Sequence, residues 1–380
     1  MHDAFDVAVI GGGPVGAALA LELAAADCRV ALVERRATGS SVADRRPLAL
    51  SYGSRLILER LGIWPGLAPA TPIDRIHVSQ RGAFGRAVLT SAEAGLRALG
   101  FVVDYAAVVA AFDTAIDAAP VSVYRGARVS EIDETAHSVR VGYAADGRAG
   151  ELAASFVVVA DGGALPAGAV RVRDYGQTAI TARVKTSQPH RGTAYERFTV
   201  EGPIALLPYG DDYALVWTVR QDDGVHLLGA SDTDFLARLQ ERFGERAGRF
   251  AAVSGRAAYD LALRVSEQSI RERTILIGNA AQALHPVAGQ GFNLGLRDAW
   301  ELAEEFRRRG PADATLPAAY RARRRIDRAG GIAFTDSLVS IFSSDSWPLT
   351  IARGAGLALI DSVPPLKNFI VRRMVFGARA

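Results

Sequence analysis

Val7-Ala8-Val9-Ile10-Gly11-Gly12-Gly13-Pro14-Val15-Gly16 reads as a short buried strand that runs through a G-x-G-x-x-G turn into a helix. Each glycine has a separate job. Gly11 permits the tight turn, Gly13 lets the backbone approach a pyrophosphate, and Gly16 lets helix and strand pack closely. The helix over 15–26 follows directly on the glycine turn, so its first N–H groups and its dipole point at whatever anion sits in the turn. Residues 29–33 form a second apolar run ending at Glu34, whose carboxylate can accept from ribose hydroxyls. Together these make one βαβ unit at the start of the chain. A glycine-rich turn with an incidental surface Glu is the plain alternative. The motif alone does not separate FAD from NAD.

Working outward, two further buried runs end on glycine turns. Residues 156–160 lead into Asp161-Gly162. Residues 274–277 lead into Gly278-Asn279 and then His285-Pro286-Val287-Ala288-Gly289-Gln290-Gly291-Phe292-Asn293-Leu294-Gly295. Three glycines around Gln290, just before a helix over 294–309, imply backbone lying close against a flat ligand. Between these runs the signals are antiparallel. A hairpin is expected over 75–89, turning at Gly82 and Gly85, a meander over 121–143, and strands over 171–217. Helices are expected over 54–61, 104–118 and 232–243. The tail after Pro311 reads as helices broken at Gly330-Gly331, at Gly354 and at Pro364-Pro365.

The fold class is therefore α/β. A Rossmann-type nucleotide-binding domain (1–73, 96–168 and 262–310) is interrupted by an antiparallel-sheet substrate domain (74–95 and 169–261). A helical C-terminal segment covers 311–380.

Composition narrows the function by exclusion. The 380-residue chain carries a net charge of +3, too small an excess to argue for nucleic acid, and it contains no nucleic-acid motif. Lys185 and Lys367 are the only lysines, and neither follows a phosphate-loop pattern. Cys28 is the only cysteine, so no intrachain disulfide forms, which fits a cytoplasmic setting. The N-terminal apolar run lacks a charged leader and is glycine-rich, so it is read as fold rather than signal peptide. No uninterrupted apolar run is long enough for a transmembrane helix. There is no G-x-S-x-G elbow. The six histidines show no metal-ligand spacing, so no metal is expected. His285 reads as a residue positioning its loop. Asp211-Asp212 and Asp222-Asp223 read as exposed turns.

The stretch 278–298 resembles the second FAD fingerprint of the single-component flavin aromatic hydroxylases. Asn279, where most of that superfamily has Asp, is similar to the 2-octaprenyl-6-methoxyphenol hydroxylase group of the ubiquinone-biosynthesis branch. Asp44-Arg45-Arg46-Pro47-Leu48-Ala49-Leu50, Ser79-Gln80-Arg81-Gly82-Ala83-Phe84-Gly85, Leu99-Gly100-Phe101-Val102-Val103 and Tyr175-Gly176-Gln177-Thr178-Ala179-Ile180 also match the family pattern. The resemblance covers nearly the whole chain.

It implies FAD as cofactor, NAD(P)H as reductant and O2 as co-substrate. Oxygen would pass through a flavin 4a-hydroperoxide to the ring of a polyprenylated phenol. Gly11, Gly13, Pro14, Gly16, Glu34 and Arg35 would hold the adenosine and pyrophosphate, and Arg46 and Asp161 would reach the cofactor. Gly278 and Asn279 would meet the ribityl chain or pyrophosphate. Pro286, Gly289, Gln290, Gly291, Asn293 and Leu294 would lie beside the flavin ring. The resemblance names no catalytic side chain. One departure touches the segment that couples FAD to NAD(P)H: Leu165 and Gly168 stand where the family carries Ser and Arg, with Arg171 or Arg173 as substitutes in another alignment.

The tail mixes Arg321, Arg323, Arg324, Arg325 and Arg328 with apolar stretches over 349–360 and 366–376, punctuated by Arg372 and Arg373. It reads either as a cap on the FAD domain or as an amphipathic surface touching the inner face of the membrane or another protein of ubiquinone biosynthesis. Two other functions stay open: a flavin hydroxylase acting on a soluble aromatic compound, and a weakly active FAD-binding component of a biosynthetic complex.

Overall fold

A computed structural model describes residues 4–40, 44, 46–163, 165, 169–283, 289–342 and 346–377, with the side chains of 4 and 332–342 excepted. Its spine is a sheet of parallel strands. β1 (Ala4–Ile10) pairs in parallel with β2 (Val30–Glu34) on one side and with the far half of β11 (Arg148–Val159) on the other. β8 (Val121–Arg125) extends the sheet beyond β2, and β17 (Thr274–Leu276) extends it beyond β11. The near half of β11 pairs antiparallel with β10 (Val139–Ala145), which pairs with β9 (Ala127–Glu134), so the meander runs over 127–159, while β8, expected to be its first strand, pairs in parallel with β2.

Alternation along β1 serves both faces of the sheet. Val7 and Val9 are fully buried against α1 (Pro14–Ala24), α3 (Tyr105–Ala118) and α6 (Gln290–Arg309). Ala8 and Ile10 pack toward Val139 and Val141 of the meander. Val33 and Ile10 end level, so Gly11 N donates to the Val33 carbonyl and Ala160 N to the Ile10 carbonyl. That brings the three glycine turns, after β1, β11 and β17, to one edge of the sheet.

A second sheet of eight strands crosses beside it, in the order β18-β16-β12-β15-β14-β13-β5-β6. Its strands are β5 (Arg75–Gln80), β6 (Arg86–Thr90), β12 (Val170–Thr186), β13 (Thr193–Phe198), β14 (Pro203–Tyr209), β15 (Asp212–Arg220), β16 (Phe250–Ser266) and β18 (Gln282–Ala283). β5 and β6 form the expected hairpin. A small third sheet joins β3 (Pro47–Ser51), β7 (Gly100–Asp104) and β4 (Thr71–Ile73). α2 (Tyr52–Arg60) follows β3, and α5 (Asp232–Phe243) covers the outer face of the second sheet through Phe235, Leu239 and Phe243.

Three local expectations are corrected. Asp222 and Asp223 do not sit in a turn but in the first turn of α4 (Gln221–Gly229), where carboxylates suit the positive end of the helix dipole. α7 (Leu316–Phe342) runs unbroken through Gly330-Gly331. α8 (Trp347–Ser362) runs through Gly354. In both helices glycine serves close approach rather than a break. A Cβ on Gly330 would meet the Arg373 guanidinium at 2.9 Å, and one on Gly354 would meet the Phe84 carbonyl oxygen at 2.4 Å. Only Pro364-Pro365 ends a helix, separating α8 from α9 (Pro364–Phe376).

Candidate active site

The two large sheets and helices α8 and α9 enclose one cavity of about 1160 Å³. It runs from the glycine turns of the parallel sheet to the inner face of the eight-stranded sheet. Of the expected site residues, Gly11, Gly13, Pro14, Glu34, Arg35, Arg46, Asp161, Gly278, Asn279, Gly289 and Gly291 line it. Gly16, Gln290, Asn293 and Leu294 do not. Pro286, His285 and Gly168 lie outside the described residues.

The turn after β1 is shaped for a diphosphate. Gly13 caps α1 in an extended conformation, with no side-chain cap, so the first N–H groups of the helix have no competing oxygen. A Cβ on Gly13 would meet nothing within 4 Å, so the space in front of that backbone is open. Gly16 contrasts with it: a Cβ there would lie 2.0 Å from the Gly11 carbonyl oxygen. Its role is packing.

Glu34 is buried at the end of β2. Its carboxylate accepts from Gly12 N and, at 2.7 Å, from Arg36 N. Arg36 holds it from the side, with Nε 3.3 Å from Oε1, and makes two bonds to Asp113 of α3 at 3.0 and 3.1 Å. Those carboxylates hold the Arg36 guanidinium above its ordinary pKa, the Asp113 bonds contributing most. The sequence reading named Arg35, which is exposed at the rim. Arg36 was missed because only the fold brings Asp113 to it.

Asp161 forms its own turn, accepting from Gly163 N at 2.9 Å and Leu165 N at 2.6 Å. Leu165 lines the cavity there. Arg171 and Arg173 lie on the exposed start of β12 and do not line the cavity. Arg46 pairs with Asp44 at 3.1 Å and stacks 5.1 Å above the Tyr105 ring.

The second fingerprint is pinned from behind. Gly278 has φ +58°, and Gly278 and Gly295 both close on Val15, so the loop, α6 and α1 meet around one side chain. Gly289 begins α6 at φ +59°, the left-handed region that glycine enters without steric cost, and Gly291 faces open space. The Asn293 amide is spent on protein. Its oxygen accepts from Ser51 N and Ser54 Oγ at 2.8 and 2.7 Å, and its nitrogen donates to the Ala49 and Gly289 carbonyls. It clasps β3 to the start of α6. Leu294 is buried against Gly331.

These features fit FAD: an open glycine cradle at a helix N-terminus, an acid beside it, and a second helix whose small residues leave a flat surface. The remaining volume lies over the eight-stranded sheet and is mostly apolar.

One ionisable group on that sheet was not foreseen. Glu196 of β13 lines the cavity, and its Oε1 is buried with no hydrogen-bond partner among the described residues. Burial pushes its carboxyl up from 4.5 to about 7. The consequence for stability has a definite sign. Between those two values the folded state keeps a proton that the unfolded chain has lost, so this group makes stability fall as pH rises through the window. The fall amounts to about 3 kcal/mol at 1.36 kcal/mol per unit. Urea titrations across pH 4.5 to about 7 should therefore show wild type losing that much relative to Glu196→Gln. A difference that stays flat across the window refutes the burial.

The comparisons with known proteins agree with this geometry. The FAD binding domain family matches residues 4–330. The chain is 34% identical to the ubiquinone hydroxylase UbiL of Rhodospirillum rubrum, over 97% of this chain and 88% of that protein. It is 27% identical to the 3-demethoxyubiquinol 3-hydroxylase of Escherichia coli, over 96% of each. Among solved structures, the p-nitrophenol 4-monooxygenase PnpA of Pseudomonas putida has the same fold, with a TM-score of 0.79 over the full length of both chains at 20% identity. The open cradle at Gly13, the acid at Glu34 and these matches lead to one conclusion: the chain belongs to the FAD-binding-domain monooxygenases, in the branch that contains the ubiquinone hydroxylases.

Proposed function

We propose that this protein hydroxylates the aromatic ring of a polyprenylated phenol, a precursor of ubiquinone, with NAD(P)H as reductant and O2 as oxygen source. The observation that carries the reading is the single cavity joining the nucleotide turns to an apolar chamber. Ile76, Leu89, Leu207, Leu357, Ile360 and Met374 line that chamber, a surface suited to a prenyl chain and to excluding water. Bound FAD supplies the reduced, oxygen-activating centre. The protein holds the diphosphate on the α1 N-terminus, orients the ring over the sheet and keeps the space between them dry.

The helices that close the chamber also carry an apolar exterior. α8 lines the cavity with Gly356, Leu357 and Ile360 while exposing Trp347, Leu349 and Leu359, and α9 exposes Phe369. No helix among the described residues is long and apolar enough to cross a membrane. This surface supports peripheral contact with the bilayer that holds a prenylated substrate. Association with other proteins of the pathway is part of the same reading.

The test is NADPH and NADH oxidation by the FAD-loaded protein, with product mass recorded. A short-chain 2-polyprenyl-6-methoxyphenol is supplied in solution, and a long-chain one in vesicles. A product heavier by one oxygen is expected from both. Phe369→Glu should slow the vesicle reaction about tenfold and spare the soluble one. Absence of an oxygenated product from either substrate overturns the reading.

A further inference from the structure

Six residues in register cross the eight-stranded sheet in one row: Ala87, Val78, Glu196, Ala205, Val216 and Thr181. All six line the cavity. Glu196 is the one ionisable group among them and stands near the middle of the row. Its cross-strand neighbours, Val78 and Ala205, have no side-chain donor to offer it. The neighbouring cavity-facing positions on its own strand are Ala194 and Phe198, and Leu207 and Ala214 continue the apolar floor. Arg197, the next residue in the chain, points to the opposite face and donates to Ser79 Oγ at 3.4 Å.

Charged and titratable groups do face the same cavity from elsewhere: Arg353 of α8, Arg46 ahead of β3, Tyr105 of α3, Tyr195 of β13, and Tyr259 and Asp260 of β16. The others, Glu34, Arg35, Arg36, Arg128 and Asp161, stand with the β1, β2, β9 and β11 ends of the parallel sheet. None of them bonds Glu196 Oε1, which has no partner among the described residues. A buried carboxyl without a partner is costly to keep. Here the residue lines a chamber whose other walls are mostly apolar.

We propose that Glu196 anchors the ring hydroxyl of the aromatic substrate: its carboxylate accepts the hydrogen bond from that hydroxyl and takes its proton as oxygen is transferred to the ring. This rests on the phenolic substrate of the proposed function. The balance is simple. The hydroxyl O–H bond breaks and an O–H bond forms on the Glu196 carboxylate. The electron pair left on the phenol oxygen enriches the ring carbons ortho and para to it, where the incoming oxygen is electrophilic. The proton leaves Glu196 for solvent when the product departs. No oxidant is needed beyond the O2 and NAD(P)H of the reaction itself. A carboxyl that titrates near neutrality suits this work, because it is partly ionised at working pH yet binds the proton firmly.

The test reads binding as well as turnover. Wild type, Glu196→Gln and Glu196→Leu are loaded with FAD, and their flavin content is measured to confirm folding and cofactor retention. Dissociation constants for 2-methoxyphenol and for its methyl ether, 1,2-dimethoxybenzene, are taken from the perturbation of the flavin spectrum across a pH series spanning neutrality. The ether cannot donate. Wild type should prefer the phenol by about tenfold or more above neutrality, the range of a hydrogen bond to a charged acceptor. That preference should shrink as Glu196 is protonated. Glu196→Leu should show no preference at any pH. Glu196→Gln should show a weak one that does not vary with pH, and a kcat about a hundredfold lower. A pH-dependent preference that survives in Glu196→Leu, or its absence from wild type, overturns the anchor. Either result leaves the hydroxylase reading to stand or fall on product mass alone.

Discussion

Gly13→Val is expected to abolish FAD binding without unfolding the protein, while Gly16→Ala, a smaller change three residues on, is expected to destabilise it strongly. The two glycines belong to one motif and differ in what surrounds them. Gly13 has φ −64° and ψ 169°, a conformation that valine adopts readily, and a Cβ there touches nothing within 4 Å. The valine carbons would occupy the space in front of the first N–H groups of α1, where the proposed site places the diphosphate. We expect a loss of at least a hundredfold in FAD affinity, and an apo-protein stability within about 1 kcal/mol of wild type. At Gly16 the added carbon would sit 2.0 Å from the Gly11 carbonyl oxygen, and backbone on both sides must move. Overpacking of that kind costs about 3 kcal/mol or more. Flavin fluorescence titrations and urea melts on both variants decide the matter. Wild-type FAD affinity in Gly13→Val would remove the glycine cradle from the cofactor site.

Asp298→Ala should cost about 3–5 kcal/mol of stability and weaken FAD binding with it. Asp298 is 3% exposed. Its carboxylate accepts from Gly278 N and Gln282 Nε2, both at 3.0 Å, and from Arg324 Nε and Nη2 at 2.9 and 2.6 Å. One side chain on α6 thus ties the Gly278 turn and β18 to α7. Arg324 is 2% exposed and also reaches Asp327 at 2.7 Å, and these carboxylates hold its guanidinium above its ordinary pKa despite burial. Removing Asp298 leaves that cation with one carboxylate instead of two, and breaking a buried ion pair from one side is costly. Arg324→Lys keeps the charge but not the two-pronged geometry, so it should fall between wild type and Asp298→Ala. Denaturant melts with and without added FAD check both effects. A loss below about 1 kcal/mol for Asp298→Ala would mean that the cluster is not a structural hub.

Much of the nucleotide site was legible in the sequence because its chemistry is local. The turn from β1 into α1 needs a strand, spaced glycines and a helix start within ten residues, and Glu34 follows at the end of the next strand. Backbone torsion and steric contact between near neighbours dictate those choices. The eight-stranded sheet was partly legible from alternation and turn residues. The 17-residue β16 was not named, because Ala-Ala-Val-Ser-Gly-Arg-Ala-Ala has little alternation to read. Its pairing with β12 is also interrupted by register shifts. Gly330, Gly331 and Gly354 misled for a related reason. Propensity counts a helical glycine as a loss of about 1 kcal/mol, but it cannot see the side chain or carbonyl that requires the missing Cβ.

The sequence by itself determined that the chain opens on a strand, glycine turn and helix suited to a dinucleotide, that its sheet is discontinuous, and which family it resembles. The first turn and the family motifs are written in residues close together in the chain. Tertiary structure alone decided that Arg36 is fixed by Asp113, that Asn293 clasps β3 to the start of α6, and that Glu196 Oε1 has no partner among the described residues in an apolar row. The reason is register. Val78 and Ala205 become the neighbours of Glu196 only when strands from three parts of the chain align, and the cost of a buried carboxyl depends on what those neighbours are.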